Sequence, residues 1–198
     1  MKTVKSLFVL LLAGIIVLTA AFSVAAQDEG TTVRIALGSE PDNLDPMLSA
    51  ASDTSSVMMN VFEGLLAFNQ KGEFMPGLAE SYTISDDELT YTFTLREGVL
   101  FHNGDPLTVN DVVYTYEKLA GLSGGEPLSS TLAAVLDHVE TADEKTVSLV
   151  LKQKDAGFLS KAIISISKEG YADSPAHPIG PGPYKFVEYI PGQKVVLE

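Results

Sequence analysis

Several short segments of this chain alternate apolar with polar residues, and each is predicted to form a β-strand. These segments are residues 32–37, 81–84, 90–95, 137–141, 145–151, 184–190 and 193–198. Within 90–95 the aromatic and aliphatic residues share one face and the threonines share the other, which indicates a strand with one buried and one solvated side. Asp86-Asp87 and Pro191-Gly192 are turn sequences, so they predict hairpins between neighbouring strands.

Other segments place apolar residues at helical spacing. The predicted helices are 57–66, with Ser52, Asp53 or Ser55 as its cap, 109–120, 132–136 and 158–164. The second of these is the clearest, because Thr108 and Asp111 have the spacing of a capping box and Gly121 follows the last apolar position. Helices mixed with hairpin strands predict an α/β fold with mixed sheets.

The first residues have the pattern of a secretory signal peptide. Lys2 and Lys5 precede an apolar run over residues 7–18, and small residues follow up to Ala26. The unbroken apolar run is shorter than the ~20 residues that a bilayer span needs. We therefore expect export, with cleavage after Ala26. The domain division expected on this basis is residues 1–26 as signal peptide and 27–198 as the folded part.

Charge and cysteine content exclude several function classes. The 198 residues include 26 acidic and 13 basic side chains, a formal charge of -13, and no cysteine. A nucleic-acid partner is not expected, because phosphate binding needs a basic surface. Without cysteine there is no disulfide scaffold, no thiol nucleophile and no lipid-modified cysteine at the N-terminus.

No catalytic, metal or cofactor site is apparent in the sequence. His102, His138 and His177 are too widely spaced for a local metal motif. The pairs Asp86-Asp87 and Asp143-Glu144 fall at predicted turns, where solvated acids are common, and Asp42 with Asp45 does so as well. The residues alone predict an exported acidic domain, and a secreted hydrolase or a cell-surface interaction module remain as alternatives.

Four segments together resemble the family 5 extracytoplasmic solute-binding proteins of ABC importers, which include oligopeptide, dipeptide and nickel binders. They are EPDNLDP at 40–46, VFEGLLAFN at 61–69, PGLAESYTISDDELTYTFTLREGVLFHNGDPLTVNDVVYTYEKL at 76–119, and GPGPYKFVEYIPGQKVVLE at 180–198. The third segment is the most specific because it is long and almost unbroken. Pro181 stands where the family often has threonine, and Glu88 where glycine is frequent.

The resemblance implies the first lobe of a two-lobed periplasmic-binding-protein-like fold (type II, class C), with the second lobe missing. It implies a monomer that is not an enzyme, needs no cofactor or metal, and delivers a peptide or another small solute to ABC permease subunits. By the same resemblance, the ligand-binding residues are Asn43, Leu44, Asp45, Glu63, Gly64, Gly182 and Tyr184. Val195 to Glu198 has the pattern of a strand without a stop sequence, so we expect the chain to be a fragment of a longer protein.

Overall fold

A computed structural model describes residues 32–170 and 177–198. The chain divides into two units, residues 1–36 and 37–198. The predicted signal peptide lies outside the described residues. The strand predicted over 32–37 is wrong: the structure assigns none there, and Val33 and Ile35 are 75% and 81% exposed. Alternation alone does not make a strand, because a strand also needs a partner for its backbone groups.

The second unit contains eight strands, three α-helices and one 3₁₀-helix among its described residues. In chain order they are α1 (Ser52–Val61), β1 (Leu66–Phe68), β2 (Phe74–Pro76), β3 (Ala79–Ile84), β4 (Thr90–Leu95), α2 (Val109–Ala120), α3 (Ser130–Val135), β5 (Leu136–Thr141), β6 (Thr146–Leu151), the 3₁₀-helix (Phe158–Lys161), β7 (Phe186–Ile190) and β8 (Lys194–Leu197). Both long predicted hairpins and the final strand pair are confirmed within a residue or two.

Strands β3 to β6 form one antiparallel sheet in the order β3-β4-β6-β5. The register pairs Phe93 with Val147 and Thr92 with Ser148 across the two central strands. Because side chains alternate across a sheet, Phe93 and Val147 lie in the core, while Thr92 and Ser148 bond to each other at 2.9 Å on the opposite face. The predicted alternation is therefore confirmed, with one face of β4 buried and its threonine face partly exposed.

Helix α2 covers the buried face of this sheet. Its buried side includes Val112, Tyr116 and Leu119. The predicted capping box is present, and Gly121 ends the helix in the left-handed conformation at φ 75°. We call β3–β6, α2 and α3 the four-stranded region; its side chains make up most of the larger hydrophobic core, to which Met47, Leu65 and Ile166 also belong.

A second, smaller core lies around α1. Leu44, Val57, Met58, Val61 and Phe62 are buried there, and side chains of β7 and β8 pack against them. We call the loop 38–51, α1, β7 and β8 the α1 region. Two connections join it to the four-stranded region: residues 62–66, and a crossing segment at residues 177–185.

Three local predictions are corrected. Helix α1 begins after Ala51, which makes no side-chain cap, so none of the three predicted cap residues is the cap. The helix ends at Val61 and not at residue 66 as predicted. Leu65 is buried in the larger core and Leu66 begins β1. The helix predicted over 158–164 is only the 3₁₀-helix Phe158–Lys161. The short β1–β2 hairpin was not predicted, since three-residue strands are too short to show a period.

Candidate ligand-binding site

The crossing segment lies directly against the C-terminal end of α1. Gly182 N–H donates to the Val61 carbonyl at 2.9 Å, and Tyr184 N–H donates to the Asn60 carbonyl at 3.0 Å. These bonds satisfy carbonyls at the end of the helix, which have no partner within it. The backbone of the crossing segment therefore completes the helix end.

Two glycines make this close approach possible. A Cβ atom on Gly182 would lie 2.6 Å from the Val61 carbonyl carbon, and one on Gly180 would overlap the Val61 carbonyl oxygen. Gly64 is similar, since a Cβ there would lie 2.6 Å from the Ile163 carbonyl carbon. The glycines at these positions let one backbone segment pack against another.

Carboxylates fix the loop 38–51. Asp42 accepts hydrogen bonds from the Thr54 hydroxyl at 2.7 Å and from the backbone N–H groups of Ala50 and Ala51 at 2.9 and 3.1 Å. The Thr54 hydroxyl, followed by the Ala50 N–H, holds the pKa of Asp42 far below its ordinary value. This acid ties the loop to the first turn of α1.

Glu40 ties the same loop to the final hairpin. Its Oε1 accepts from the Tyr189 hydroxyl at 2.6 Å and from the Gly192 N–H at 2.9 Å. The bond from Tyr189, then the bond from Gly192, lowers the pKa of Glu40. Two carboxylates near the start of the loop therefore hold it, Asp42 to the start of α1 and Glu40 to the final hairpin.

The predicted ligand residues in this loop have local roles. Asn43 Oδ1 accepts from Asp45 N–H at 2.8 Å, and Asp45 Oδ1 accepts from Met47 N–H at 2.8 Å. Leu44 is 5% exposed and belongs to the smaller core. Asn43 and Asp45 stabilise consecutive turns, and Leu44 fastens the loop to α1.

Glu63 and Gly64 lie where the chain leaves α1 for the four-stranded region. The Glu63 side chain is half-buried, and its burial raises its pKa, partly opposed by the positive charge of Arg96. The Glu63 carbonyl accepts from Ile166 N–H at 2.9 Å, and the Gly64 carbonyl accepts from Leu78 N–H at 2.9 Å. Glu63 is thus a carboxylate beside the junction of the two regions.

A shallow pocket lies at this junction, with an empty volume of about 370 Å³ that includes open solvent. It is lined by Leu44, Asp45, Pro46, Met47, Phe62, Tyr114, Ser167, Lys168, Pro178 and Ile179. The lining is mostly apolar, with one carboxylate and one ammonium group. Lys168 Nζ is 3.3 Å from Asp105 Oδ2 and lies 5.7 Å from the Phe101 ring centroid.

The structure brings the seven predicted residues together only in part. Leu44 and Asp45 line the pocket, and Glu63 and Gly64 follow Phe62, which also lines it. Gly182 and Tyr184 lie on the crossing segment at the end of α1, where the Tyr184 side chain is 50% exposed.

Tyr114, Ser167 and Lys168 were missed as pocket residues. Ser167 and Lys168 lie outside the recognised motifs and Tyr114 lies within the longest of them, but only the fold brings these three residues to the loop. The sequence also indicated no role for His102.

Nothing within residues 32–170 and 177–198 suggests a metal centre or a membrane span. No group of three or more metal-ligating side chains occurs in these ranges. In the same ranges no helix has the length and apolar character to cross a bilayer. Chemically, the arrangement offers a small apolar concavity that is open to solvent and carries a few polar groups at its wall.

Comparison with solved structures identifies the class of fold. A periplasmic oligopeptide-binding protein from Borrelia burgdorferi superposes with a TM-score of 0.74 and 26% identity, over 82% of this chain and 38% of that one. The ABC transporter-associated periplasmic binding protein DppA from Helicobacter pylori, in complex with the peptide STSA, superposes with a TM-score of 0.71 and 26% identity, over 82% of this chain and 37% of that one. The fold is that of part of a periplasmic binding protein, and the predicted mixed α/β first lobe is confirmed.

Sequence comparison identifies the family. The family described as bacterial extracellular solute-binding proteins, family 5 Middle, matches residues 73–198. Protein XP55 of Streptomyces lividans is 37% identical over 173 residues, covering 83% of this chain and 31% of its own length. A glutathione-binding protein of Pectobacterium atrosepticum is 31% identical over 163 residues, covering 78% of this chain and 32% of that protein. The chain belongs to solute-binding protein family 5, as its motifs predicted, and it spans about a third of the length of these relatives.

Proposed function

We propose that this chain forms part of the substrate-binding component of an ABC importer, which captures peptides or similar small solutes. Family membership supports the transport role most directly. Relatives named as peptide-, dipeptide- and glutathione-binding proteins support a peptide-like ligand. The proposed protein is a monomer and not an enzyme, and it passes its ligand to permease subunits in the membrane.

Binding requires no catalytic group in this proposal. Proteins of this architecture hold a ligand between two lobes that close by a hinge, and closure excludes water from a few polar contacts. The residues proposed to face the ligand from this lobe are Asn43, Leu44, Asp45, Glu63, Gly64, Gly182 and Tyr184. The observation that carries this choice is that four of them lie in or beside the junction pocket, while Gly182 and Tyr184 complete the adjoining end of α1.

The proposal includes export. Residues 1–26 would be removed as a signal peptide, and residues 27–198 would act outside the cytoplasm as an N-terminal lobe. N-terminal sequencing of the exported protein tests this division directly. A mature protein that begins elsewhere than at Gln27 would contradict the proposed cleavage after Ala26.

Titration with trialanine, followed by backbone amide NMR, tests the ligand surface. Because one lobe supplies only part of the contacts, we expect weak binding, with shifts confined to residues 43–47, 63–64 and 182–184. Replacing Tyr184 by alanine should reduce these shifts. Tyr82→Ala is the matched control, because Tyr82 is also a partly exposed tyrosine but lies on edge strand β3.

The same samples separate the proposal from its alternatives. Trialanine should be recovered intact after long incubation, because nothing in the proposal breaks a peptide bond. Hydrolysis of the peptide would favour the secreted hydrolase. Shifts centred on the threonine face of the four-stranded sheet would favour an interaction module.

A further inference from the structure

His102 connects the four-stranded region to the crossing segment by two hydrogen bonds. Its backbone N–H donates to the Gly180 carbonyl at 3.0 Å. Its side-chain Nε2 lies 2.8 Å from the Gly182 carbonyl oxygen. A single residue therefore holds the carbonyls of both glycines that pack against α1.

The turn that presents His102 is held by bonds of its own. Phe101 N–H donates to the Asp105 carbonyl at 2.8 Å, and Gly104 N–H donates back to the Phe101 carbonyl at 2.8 Å. Asn103 and Asp105 exchange further bonds across the turn. Phe101 is 2% exposed, so the residue before His102 fixes the turn to the core.

The bonding pattern defines the tautomer of the ring. A carbonyl oxygen only accepts, so Nε2 must donate its proton to Gly182. In the neutral ring Nδ1 then has no proton. Nδ1 is buried and has no hydrogen-bond partner within the described ranges. The contacts therefore place a proton on Nε2, since a proton on Nδ1 would be a buried donor without an acceptor.

The crossing segment is held from both sides at this point. On one side Gly182 N–H and Tyr184 N–H bond to the end of α1, and on the other the Gly182 carbonyl bonds to His102. Gly182 therefore has its donor and its acceptor committed to different regions of the molecule. Without the His102 bond, the segment would lose its side-chain bond to the four-stranded region, and its N–H bonds to the end of α1 would open more often.

We propose that His102 is a positioning residue, which holds Gly182 and Tyr184 in the single conformation that they present to a ligand. The statement that these residues face a ligand rests on the proposed function. The statement that His102 fixes the conformation of the crossing segment does not, and it can be measured without any ligand.

Three variants of the 198-residue chain test the proposal by hydrogen exchange and NMR. At position 102, a glutamine side chain places an amide donor near the position of the histidine Nε2. An asparagine side chain places its amide donor near Nδ1 instead, and a leucine side chain has no donor. We expect His102→Leu and His102→Asn to increase amide exchange at Gly182 and Tyr184 by about tenfold or more. His102→Gln should stay within about threefold of the parent, and amides of Phe93 and Leu149 in the sheet should exchange as before.

The parent ring gives an independent spectroscopic readout. Long-range ¹H–¹⁵N correlation should show the neutral His102 ring protonated on Nε2. A proton on Nδ1, unchanged exchange in the Leu variant, or a Gln variant that behaves like the Leu variant would each overturn the proposal. If one variant unfolds, fast exchange at the sheet amides of Phe93 and Leu149 will show it. The ring tautomer of the parent and the exchange rates of His102→Gln then still test the proposal.

Trialanine titration separates this inference from the proposed function. In His102→Leu, the shifts at residues 182–184 should weaken while those at 43–47 persist. If trialanine shifts no amide in the parent, the proposed function fails, yet the exchange data still test His102. If the parent responds and the Leu variant responds identically at 182–184, His102 does not position the ligand surface.

Discussion

The four-stranded region and the α1 region are held together by different means. The four-stranded region has a large core of alternating side chains from β4 and β6 beneath α2. The α1 region has few buried side chains, and relies on carboxylates in its loop and on glycines that bring backbones into contact. Side-chain volume therefore dominates stability in the first region, and hydrogen-bonding groups with close backbone packing do so in the second.

The strongest test of this contrast is a large-to-small change in the bigger core. Phe93 is fully buried, so Phe93→Ala should lower the free energy of unfolding by about 3–5 kcal/mol. Urea unfolding followed by circular dichroism measures the change. Thr92→Ala on the open face is the control and should cost much less; equal costs would contradict the assignment of the two faces.

A methyl group added at the crossing segment should break the α1 region selectively. Gly180→Ala should cost about 1–3 kcal/mol, because its Cβ would overlap the Val61 carbonyl. Amide exchange should rise in α1 and leave β4 and β6 unchanged. Gly157→Ala is the control, since its φ is -92° and the nearest atom is 3.4 Å from the added carbon. Uniform loss of protection across the sheet would show that the two regions unfold as one.

Asp111 tests whether hydrogen bonds to a buried carboxylate also stabilise the four-stranded region. Its carboxylate accepts from Thr108 N–H at 2.7 Å and from Glu169 N–H at 2.8 Å. Asp111→Ala leaves these donors unpaired, so thermal unfolding should show a loss of about 1–2 kcal/mol. The exposed neighbour Asn110 is the control, and a comparable loss in Asn110→Ala would count against the capping role.

Acid should weaken the α1 region through Asp42. Hydrogen bonds lower the folded-state pKa of Asp42 below its ordinary 3.8, so its contribution is present above that pH and is lost as the pH falls toward the folded value. Melting temperatures between pH 6 and pH 2 should therefore fall less steeply for Asp42→Asn than for the parent. Parallel curves would mean that the carboxylate does not stabilise the loop.

The smallest expected effect is at the exposed edge of the sheet. His138 contacts Glu140 and Asp137 at 2.8 Å each, and these bonds raise the His138 pKa above 6.5. Because the pKa is higher in the folded state, protonated His138 stabilises the fold below pH 6.5. This stabilisation is lost as the pH rises through the folded-state pKa. Because the side chain is 46% exposed, His138→Gln should change stability by only a few tenths of a kcal/mol. A large change between pH 6 and pH 8 would contradict this.

The same contrast explains which predictions succeeded. In the four-stranded region the period of two in β4 and β6 and the capping box of α2 identified the elements, because burial there follows local pattern. In the α1 region, the turn residues Asn43 and Asp45 were recognised. The partners of Asp42 at the start of α1 lie 8 to 12 positions away and those of Glu40 lie 149 and 152 positions away, so no short pattern shows them. The contact between His102 and Gly182 joins residues 80 positions apart, which no local pattern encodes.

Backbone contacts at Gly64, Gly180 and Gly182 have a consequence for the ligand-binding role proposed above. Where main chains touch directly, the distance between segments does not depend on the size of nearby side chains. Tyr184, whose side chain is half-exposed, can be exchanged for another residue without moving the main-chain frame that supports it. Such an arrangement allows side chains at the rim to change while the main-chain frame stays as it is.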